Sequence, residues 1–337
     1  MSVPQTPLES CSRETTPRVA VVGCGRWGRN IVRNLAEVGA LRALVGRDPE
    51  ALRALASAHG SEAKTFNEAL ADTEIDAVAL ALPPDLNARF ARTALEAGKH
   101  VFIEKPLALD VAEAEEICAL ADRLDRRLMV GHILQYHPAF RALCDLVHDG
   151  ALGPLRHISA RRANFGRFHR NFSVLWSLAP HDVSMILSLY GGEPESVGCV
   201  GSCCLDPRRA DTAAVLLSFR QDRRAEISVS WLHPRKEQKL VVVGETGMAV
   251  FDDDAPWPEK LHLFSYRIEW RDGTAEPCRG KRISVPVEPA EPLRLELQHF
   301  LESIESGREP RTDGWEALRV VRILARAEEA LRSHRKE

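Results

Sequence analysis

The first half of the chain alternates short apolar runs with amphipathic stretches that end at glycines such as Gly39 and Gly98. Strands are predicted at residues 18–22, 41–45, 76–82, 101–103 and 128–130, and helices at 26–38, 49–59, 85–97 and 111–124. Alternation of this kind is typical of βαβ units and a parallel sheet. The first half therefore reads as a Rossmann-type domain.

The pattern changes after about residue 150, where strand-like runs follow one another closely and are separated by turn signals. Strands are predicted at 213–219, 224–231, 239–243 and 248–251, and helices at 172–189, 293–306 and 315–332. Closely spaced strands favour an antiparallel sheet. The predicted class is α/β: an N-terminal Rossmann fold and a C-terminal α+β domain with a large open antiparallel sheet. Its expected divisions are a disordered leader (1–16), a first domain (17–135) and a second domain (136–337), whose roles follow from the motifs below.

Composition narrows the possible partners. Of 337 residues, 45% are hydrophobic and 28% charged, as in ordinary globular enzymes, and the net charge of −3 argues against non-specific nucleic-acid binding. No apolar run reaches the length of a membrane span, and the polar N-terminus lacks a signal-peptide pattern, so a cytoplasmic protein is expected. The eight cysteines form no C-x-x-C pair, so no metal site is expected.

A G-x-G-x-x-G loop follows the first predicted strand and opens the first helix. Gly23 permits the tight turn, Gly25 lets the backbone approach a pyrophosphate, and Gly28 lets the helix pack on the sheet. The helix N-terminus adds N–H groups for the phosphates. The loop predicts a bound dinucleotide.

The end of the second strand leaves the choice between NAD and NADP open. Gly46 stands where an acid often grips the ribose 2′-hydroxyl, and Arg47 after it would suit a 2′-phosphate. Asp48 remains able to reach the ribose, which would favour NAD. NAD or NADP is therefore the expected cofactor.

Glu104-Lys105-Pro106 follows the fourth predicted strand, at the carboxyl edge where open α/β sheets bind ligands. Lys105 there would reach both nicotinamide and substrate. The glycine loop precedes this turn, and two further motifs follow it: the segment Gly131-His132-Ile133-Leu134-Gln135-Tyr136-His137-Pro138, and then Pro180-His181-Asp182. In these motifs and their order the chain resembles the glucose–fructose oxidoreductase / inositol dehydrogenase / rhizopine-catabolism family. The resemblance covers residues 17–335 and implies a Rossmann domain joined to an open-faced antiparallel sheet, a cis peptide before Pro106, and a dimer or tetramer.

Within that family the chain is most similar to nucleotide-sugar 3-dehydrogenases. The residues that carry this similarity are Trp176-Ser177-Leu178-Ala179-Pro180-His181-Asp182 and the series Arg161, Asn164 and Asn171. The resemblance implies oxidation of the 3-hydroxyl of a UDP-linked N-acetylated sugar by Lys105 and His181. One departure is Ser177, since the position four before the histidine is often Asp in the family. The carboxylate's role would then pass to Asp182 or be absent.

The chemistry of the pair leaves two assignments. His181 titrates near neutral pH and suits a general base, with Lys105 as the cation beside the alkoxide. A neutral Lys105 could instead be the base if the oxidised nicotinamide lowers its pKa. Strand alternation places Arg162 and Asn164 on one face and Arg161 on the other. An arginine on one of these faces could meet the substrate's diphosphate.

The expected site falls into two groups. The cofactor group is Gly23, Gly25, Arg26, Trp27, Gly28, Arg47, Asp48, Leu82, Pro83, Glu104, Lys105 and His132. The substrate group is Tyr136, His137, Arg161, Asn164, Asn171, Trp176 and Asp182. Tyr136 and His137 fit packing at the domain junction equally well. Two alternative functions stay open: a dehydrogenase or ketoreductase for a free sugar, an inositol or another nucleotide-sugar, and a dinucleotide-sensing regulator without turnover.

Overall fold

The computed structural model describes residues 16–166, 168–169 and 171–333. The predicted leader therefore lies, except for Thr16, outside the described residues. The first sheet contains β1 (Val19–Val22), β2 (Leu41–Val45), β3 (Glu62–Ala63), β4 (Ala77–Leu80), β5 (His100–Ile103) and β6 (Leu128–Val130). The helices between them are α1 (Gly28–Glu37), α2 (Pro49–Ala58), α3 (Phe66–Ala71), α4 (Pro84–Glu96) and α5 (Val111–Arg123).

This sheet is parallel and has the order β3-β2-β1-β4-β5-β6, which confirms the predicted Rossmann fold. Its central strands β1 and β4 are buried on both faces. Val19 and Val21 of β1 pack in one core with α1, while Ala20 and Val22 pack in the other. All five predicted strands of this half exist, and the order places the ends of β1, β4 and β5 side by side at one edge.

The second half contains a larger sheet. A 3₁₀ turn (Ile133–Tyr136), α6 (Pro138–His148) and α7 (Val174–Tyr190) accompany it. Its strands are β7 (Leu155–Phe165), β8 (Ser196–Ser202), β9 (Thr212–Ser218), β10 (Arg224–Ser230), β11 (Leu232–Gly244), β12 (Met248–Asp252), β13 (Leu261–Phe264) and β16 (Arg282–Ser284), in the order β16-β13-β12-β11-β7-β10-β9-β8. A short 3₁₀ turn (Trp257–Glu259) precedes β13, and β14 (Arg267–Arg271) pairs with β15 (Thr274–Cys278) as a separate hairpin.

The prediction of an antiparallel sheet needs one correction, because β7 and β10 pair in parallel. The chain leaves β7, passes through α7, β8 and β9, and returns beside β7 in the same direction. A long excursion that includes a helix permits this connection. The other strand pairs of this sheet are antiparallel.

Two final helices, α8 (Pro292–Ser306) and α9 (Gly314–Ser333), connect the two halves. Leu297 and Phe300 of α8 join the Rossmann core that contains α1. Leu318 and Leu324 of α9 join the core shared by α5 and α7. Within the described ranges, no helix is both long and apolar enough to span a membrane.

Candidate active site

The glycine loop is shaped to receive a dinucleotide. Gly23 has φ of +98°, and a Cβ added there would lie 2.4 Å from the Ala81 carbonyl oxygen. A Cβ on Gly28 would lie 1.9 Å from the Gly23 carbonyl oxygen, whereas one on Gly25 would meet nothing within 4 Å. Gly23 and Gly28 thus close the turn, and Gly25 leaves open backbone for a pyrophosphate. Arg26 and Trp27 are exposed beside it.

The end of β2 presents an exposed cationic side chain next to an acidic one. Asp48 caps α2, and its Oδ1 accepts hydrogen bonds from the backbone N–H groups of Glu50 and Ala51 at 3.1 Å each. Arg47 is exposed beside it. The cap uses one oxygen of Asp48 and leaves the other, so Asp48 and Arg47 both stay candidates for contact with the ribose or its substituent. Leu82 and Pro83 lie between β4 and α4, opposite the glycine loop.

The Glu104-Lys105-Pro106 turn follows β5, and its Lys105–Pro106 peptide is cis, as expected. Asn87 of α4 is fully buried and donates from Nδ2 to the carbonyls of Glu104 (2.9 Å) and Pro106 (2.7 Å). The Trp27 indole N–H donates to the Glu104 carboxylate, which ties the turn to the glycine loop. Burial raises the pKa of Glu104 to about 7, against the effect of that hydrogen bond. Asn87 was absent from the sequence-based site.

Lys105 reaches across from the Rossmann domain to α7. Its Nζ donates to the Ser177 carbonyl oxygen at 2.7 Å, one helical turn before His181. Burial lowers the pKa of Lys105 to about 8. Burial and then the positive charge of Lys105 lower the pKa of His181 well below its usual value. At pH 7 the site therefore combines a protonated lysine with a neutral histidine.

A hydrogen-bonded network lies behind His181. The ring of His132 meets that of His181 edge to face, with centroids 6.4 Å apart. Glu316 of α9 lies 2.6 Å from His132 Nδ1 and accepts a second hydrogen bond, also 2.6 Å, from the Ser184 hydroxyl. The Glu316 carboxylate thereby favours the His132 tautomer with a proton on Nδ1. Sequence analysis missed Glu316, which lies 184 residues from His132.

Asp182 belongs to a buried ion pair. Arg162 of β7 donates from Nε and Nη2 to its two carboxylate oxygens, each at 3.0 Å, and both side chains are buried. This paired geometry directs the carboxylate at Arg162, and contact of Asp182 with a substrate stays a prediction. Because Asp182 adjoins His181, the pair fixes α7 against β7.

Tyr136 and His137 are buried in contacts of their own. The Tyr136 hydroxyl is buried 3.2 Å from Thr312 Oγ1, and its ring packs against His299. His137 caps α6, accepting a hydrogen bond from the Ala139 N–H, and stacks on Trp257. Of the two readings of these residues, the contacts match packing at the domain junction and not the predicted substrate contact.

The remaining predicted substrate residues are spread around the ends of β7 and α7. Arg161 is exposed and pairs with Glu237, on the face opposite Arg162, as strand alternation predicts. Asn164 is half-buried, Asn171 is exposed before α7, and Trp176 is buried within α7. No group of three or more His, Cys, Asp or Glu side chains suited to a metal occurs in the described part of the chain.

Comparison with known proteins agrees with this geometry. Residues 17–132 match the oxidoreductase family with an NAD-binding Rossmann fold, and residues 140–250 match the GFO/IDH/MocA C-terminal domain. An uncharacterised oxidoreductase of Rhizobium meliloti is 30% identical over 79% of this chain and 81% of that protein. A UDP-N-acetylglucosamine 3-dehydrogenase of Acidithiobacillus ferrooxidans is 27% identical over 90% of this chain and 94% of that protein. An inositol 2-dehydrogenase of Rhizobium meliloti (strain 1021) is 26% identical over 94% of this chain and 97% of that protein.

Two solved structures of oxidoreductases share the fold of this chain over nearly its whole length. The structure of the Acidithiobacillus ferrooxidans UDP-N-acetylglucosamine 3-dehydrogenase superposes with a TM-score of 0.80 at 25% identity, covering 94% of this chain and 98% of that one. The structure of an aldose–aldose oxidoreductase from Caulobacter crescentus also superposes with a TM-score of 0.80 at 25% identity, covering 95% of this chain and 98% of that one.

The Rossmann sheet and its glycine loop define a nicotinamide-dependent oxidoreductase, with NAD or NADP as cofactor. The chain belongs to the Gfo/Idh/MocA oxidoreductase family, which confirms the resemblance in its sequence, and it is a dehydrogenase acting on sugar-type CH–OH groups.

Proposed function

We propose that this enzyme oxidises the 3-hydroxyl of a UDP-linked N-acetylated sugar, of the UDP-N-acetylglucosamine type, to a 3-keto sugar suited to later transamination. The observation that carries the proposal is the contact of Lys105 with α7 one turn before His181, which brings the Lys105 ammonium from the carboxyl edge of the sheet to the helix that carries His181. The match to a UDP-N-acetylglucosamine 3-dehydrogenase over nine-tenths of the chain supports this substrate class.

The proposed reaction removes a hydride from carbon 3 and a proton from its hydroxyl, leaving a ketone. When bound, the nicotinamide supplies the hydride acceptor. His181, neutral at pH 7, takes the hydroxyl proton, while the Lys105 ammonium holds the oxygen and stabilises its developing negative charge. The His132–Glu316 network fixes the surroundings of His181.

A substrate panel tests this proposal. Purified enzyme is given NAD or NADP with UDP-N-acetylglucosamine, its uronic acid, free N-acetylglucosamine and myo-inositol, and reduction is followed at the nicotinamide absorbance band. We expect turnover with a UDP-sugar and loss of at least tenfold in kcat/KM when the UDP group is removed, because each lost charge-assisted contact is worth about that factor. Equal or faster turnover of a free sugar or inositol would contradict the assignment.

An inositol or free-sugar dehydrogenase is the second candidate. An inositol 2-dehydrogenase matches this chain over a larger share of its length at nearly the same identity. The same panel separates the two, since an enzyme of that kind needs no diphosphate contact. A regulator without turnover is disfavoured by the Lys105–α7 contact beside His181, which a sensor would not need.

We further propose the two-part division at residues 135 and 136 and a homodimer or homotetramer. The outer strands of the large sheet support a subunit interface, because Val200 of β8 and Leu216 of β9 are more than half exposed on it.

Arg47 is expected to contribute to the recognition of NADP. In Arg47→Ala, NADP affinity should fall about tenfold while NAD affinity changes little, because the guanidinium would pair with the 2′-phosphate. Fluorescence titration of the reduced cofactors measures both. Arg53→Ala, on the exposed side of α2, is the matched control. Unchanged NADP affinity in Arg47→Ala would exclude the contact.

A further inference from the structure

A cavity of about 480 Å³ lies at the ends of β7 and β10, apart from the catalytic pair. Its walls come from the loop after β7, the segment between β8 and β9, and Trp231 just after β10. This volume lies within the range of small-molecule sites. Neither Lys105 nor His181 lines it.

The cavity is connected to the catalytic pair by two elements. Arg162, paired with the neighbour of His181, lies three residues before the end of β7, or about 10 Å along the strand. Val174, which begins α7, lies seven residues before His181, or about 10 Å along the helix. Both lengths are short enough for a substrate longer than one sugar ring to reach from the catalytic pair to the cavity.

The aromatic wall is formed by two rings. Trp231 is 2% exposed and its indole Nε1 is closed off from solvent, so this ring is an apolar backing and not a donor to a ligand. Phe168 meets the Trp231 ring at 90° with centroids 6.2 Å apart, and its own side chain is 44% exposed. The exposed Phe168 ring, supported by Trp231, offers a surface on which a base can stack.

The opposite wall supplies two guanidinium groups. Arg208 and Arg209 both pair with Asp206, which orients them while leaving further N–H groups for a ligand. The Asp211 carboxylate accepts from the backbone N–H groups of Cys204 and Leu205, which fixes the segment before the arginines. The two acids balance the two arginines in charge, so recognition of an anion here rests on directed hydrogen bonds. Guanidinium groups form such bonds with phosphate oxygens.

We infer that this cavity binds the nucleoside diphosphate part of the substrate. The base stacks on Phe168, and the diphosphate contacts Arg208 and Arg209. This inference rests on the proposed function and gives its UDP group a place in the chain.

Binding of UDP alone tests the inference without turnover. Calorimetry on the enzyme loaded with reduced cofactor measures Kd for UDP, uridine and pyrophosphate, with ADP for comparison. Arg208→Ala is expected to raise Kd about tenfold for UDP and pyrophosphate but not for uridine. Phe168→Ala is expected to do so for UDP and uridine. Both side chains are substantially exposed, so these variants should fold. Arg220→Ala, an exposed arginine paired with Glu195, is the control.

The results separate this inference from the proposed function. UDP binding that weakens in Arg208→Ala and Phe168→Ala but not in Arg220→Ala supports the inference, even if no UDP-sugar is oxidised. UDP-sugar turnover with UDP affinity unchanged in both variants overturns the inference and leaves the proposed function intact. Failure of wild-type enzyme to bind UDP overturns the inference as well. With a UDP-sugar substrate, the two variants should raise KM while kcat stays within twofold.

Discussion

Lys105→Ala and His181→Ala are each expected to lower kcat by about 10²–10⁴-fold, the usual contribution of a general acid or base. Lys105 is held against α7 by the Ser177 carbonyl, and burial together with Lys105 keeps His181 neutral, so each group depends on the other. The double variant should therefore lose far less than the product of the single losses. Steady-state kinetics with the preferred UDP-sugar completes the double-mutant cycle.

Cofactor affinity is the internal check on these variants. It should survive in both, because the glycine loop is built by other residues. His148→Ala, at the exposed end of α6, serves as the surface-histidine control. If His181→Ala keeps wild-type kcat and only raises KM, His181 binds substrate and the base is Lys105 or another group.

The pH profile of the oxidation separates the two roles of Lys105. Burial lowers the pKa of Lys105 to about 8, so the ammonium is the main form below that pH and is lost above it. If Lys105 acts as a cation, kcat/KM should be level near pH 7 and fall as the pH rises through about 8. A rate that instead rises through about pH 8 would identify neutral Lys105 as the base.

The parts of the site that the sequence predicted are those built by local geometry. The glycine loop can be recognised from the spacing of its glycines, because a Cβ at Gly23 or Gly28 would clash with neighbouring backbone atoms. Lys105 follows a buried strand, and the carboxyl edge of a parallel sheet is where ligands bind. Both could be located without knowledge of distant contacts.

The parts that were missed depend on distant partners. Asn87 donates to Glu104, which lies 17 positions away in the sequence, and Glu316 contacts His132, which lies 184 positions away. The sequence contained one signal for Asn87: it is a polar residue on the helix face that also carries Ala91, Ala94 and Leu95, and this face is buried. The choice between packing and substrate contact for Tyr136 also depended on distant partners, because the 3₁₀ turn after β6 directs its side chain toward α8. The parallel pairing of β7 with β10 has no local signal, since hydrophobic alternation is the same in both orientations.

Asp182→Asn is expected to lower the free energy of unfolding by about 3–5 kcal/mol, because it leaves the buried Arg162 guanidinium without its counter-charge. Both side chains are buried, and the pair joins β7 to α7 beside His181. The double variant Arg162→Met/Asp182→Leu should recover most of this loss, since apolar groups of similar volume replace buried pairs at little cost.

Chemical denaturation followed by circular dichroism measures the loss, with Arg161→Ala as the matched control. Arg161 is the neighbouring strand residue, but its pair with Glu237 is exposed, so its removal should cost no more than about 1 kcal/mol. Asp182→Asn should also lower kcat, because α7 positions His181 relative to Lys105. The double variant separates the two effects: if stability returns and kcat does not, the charges of the pair serve the active site as well as the fold. A loss in Asp182→Asn no larger than that in Arg161→Ala would show that the pair does not hold α7 in place.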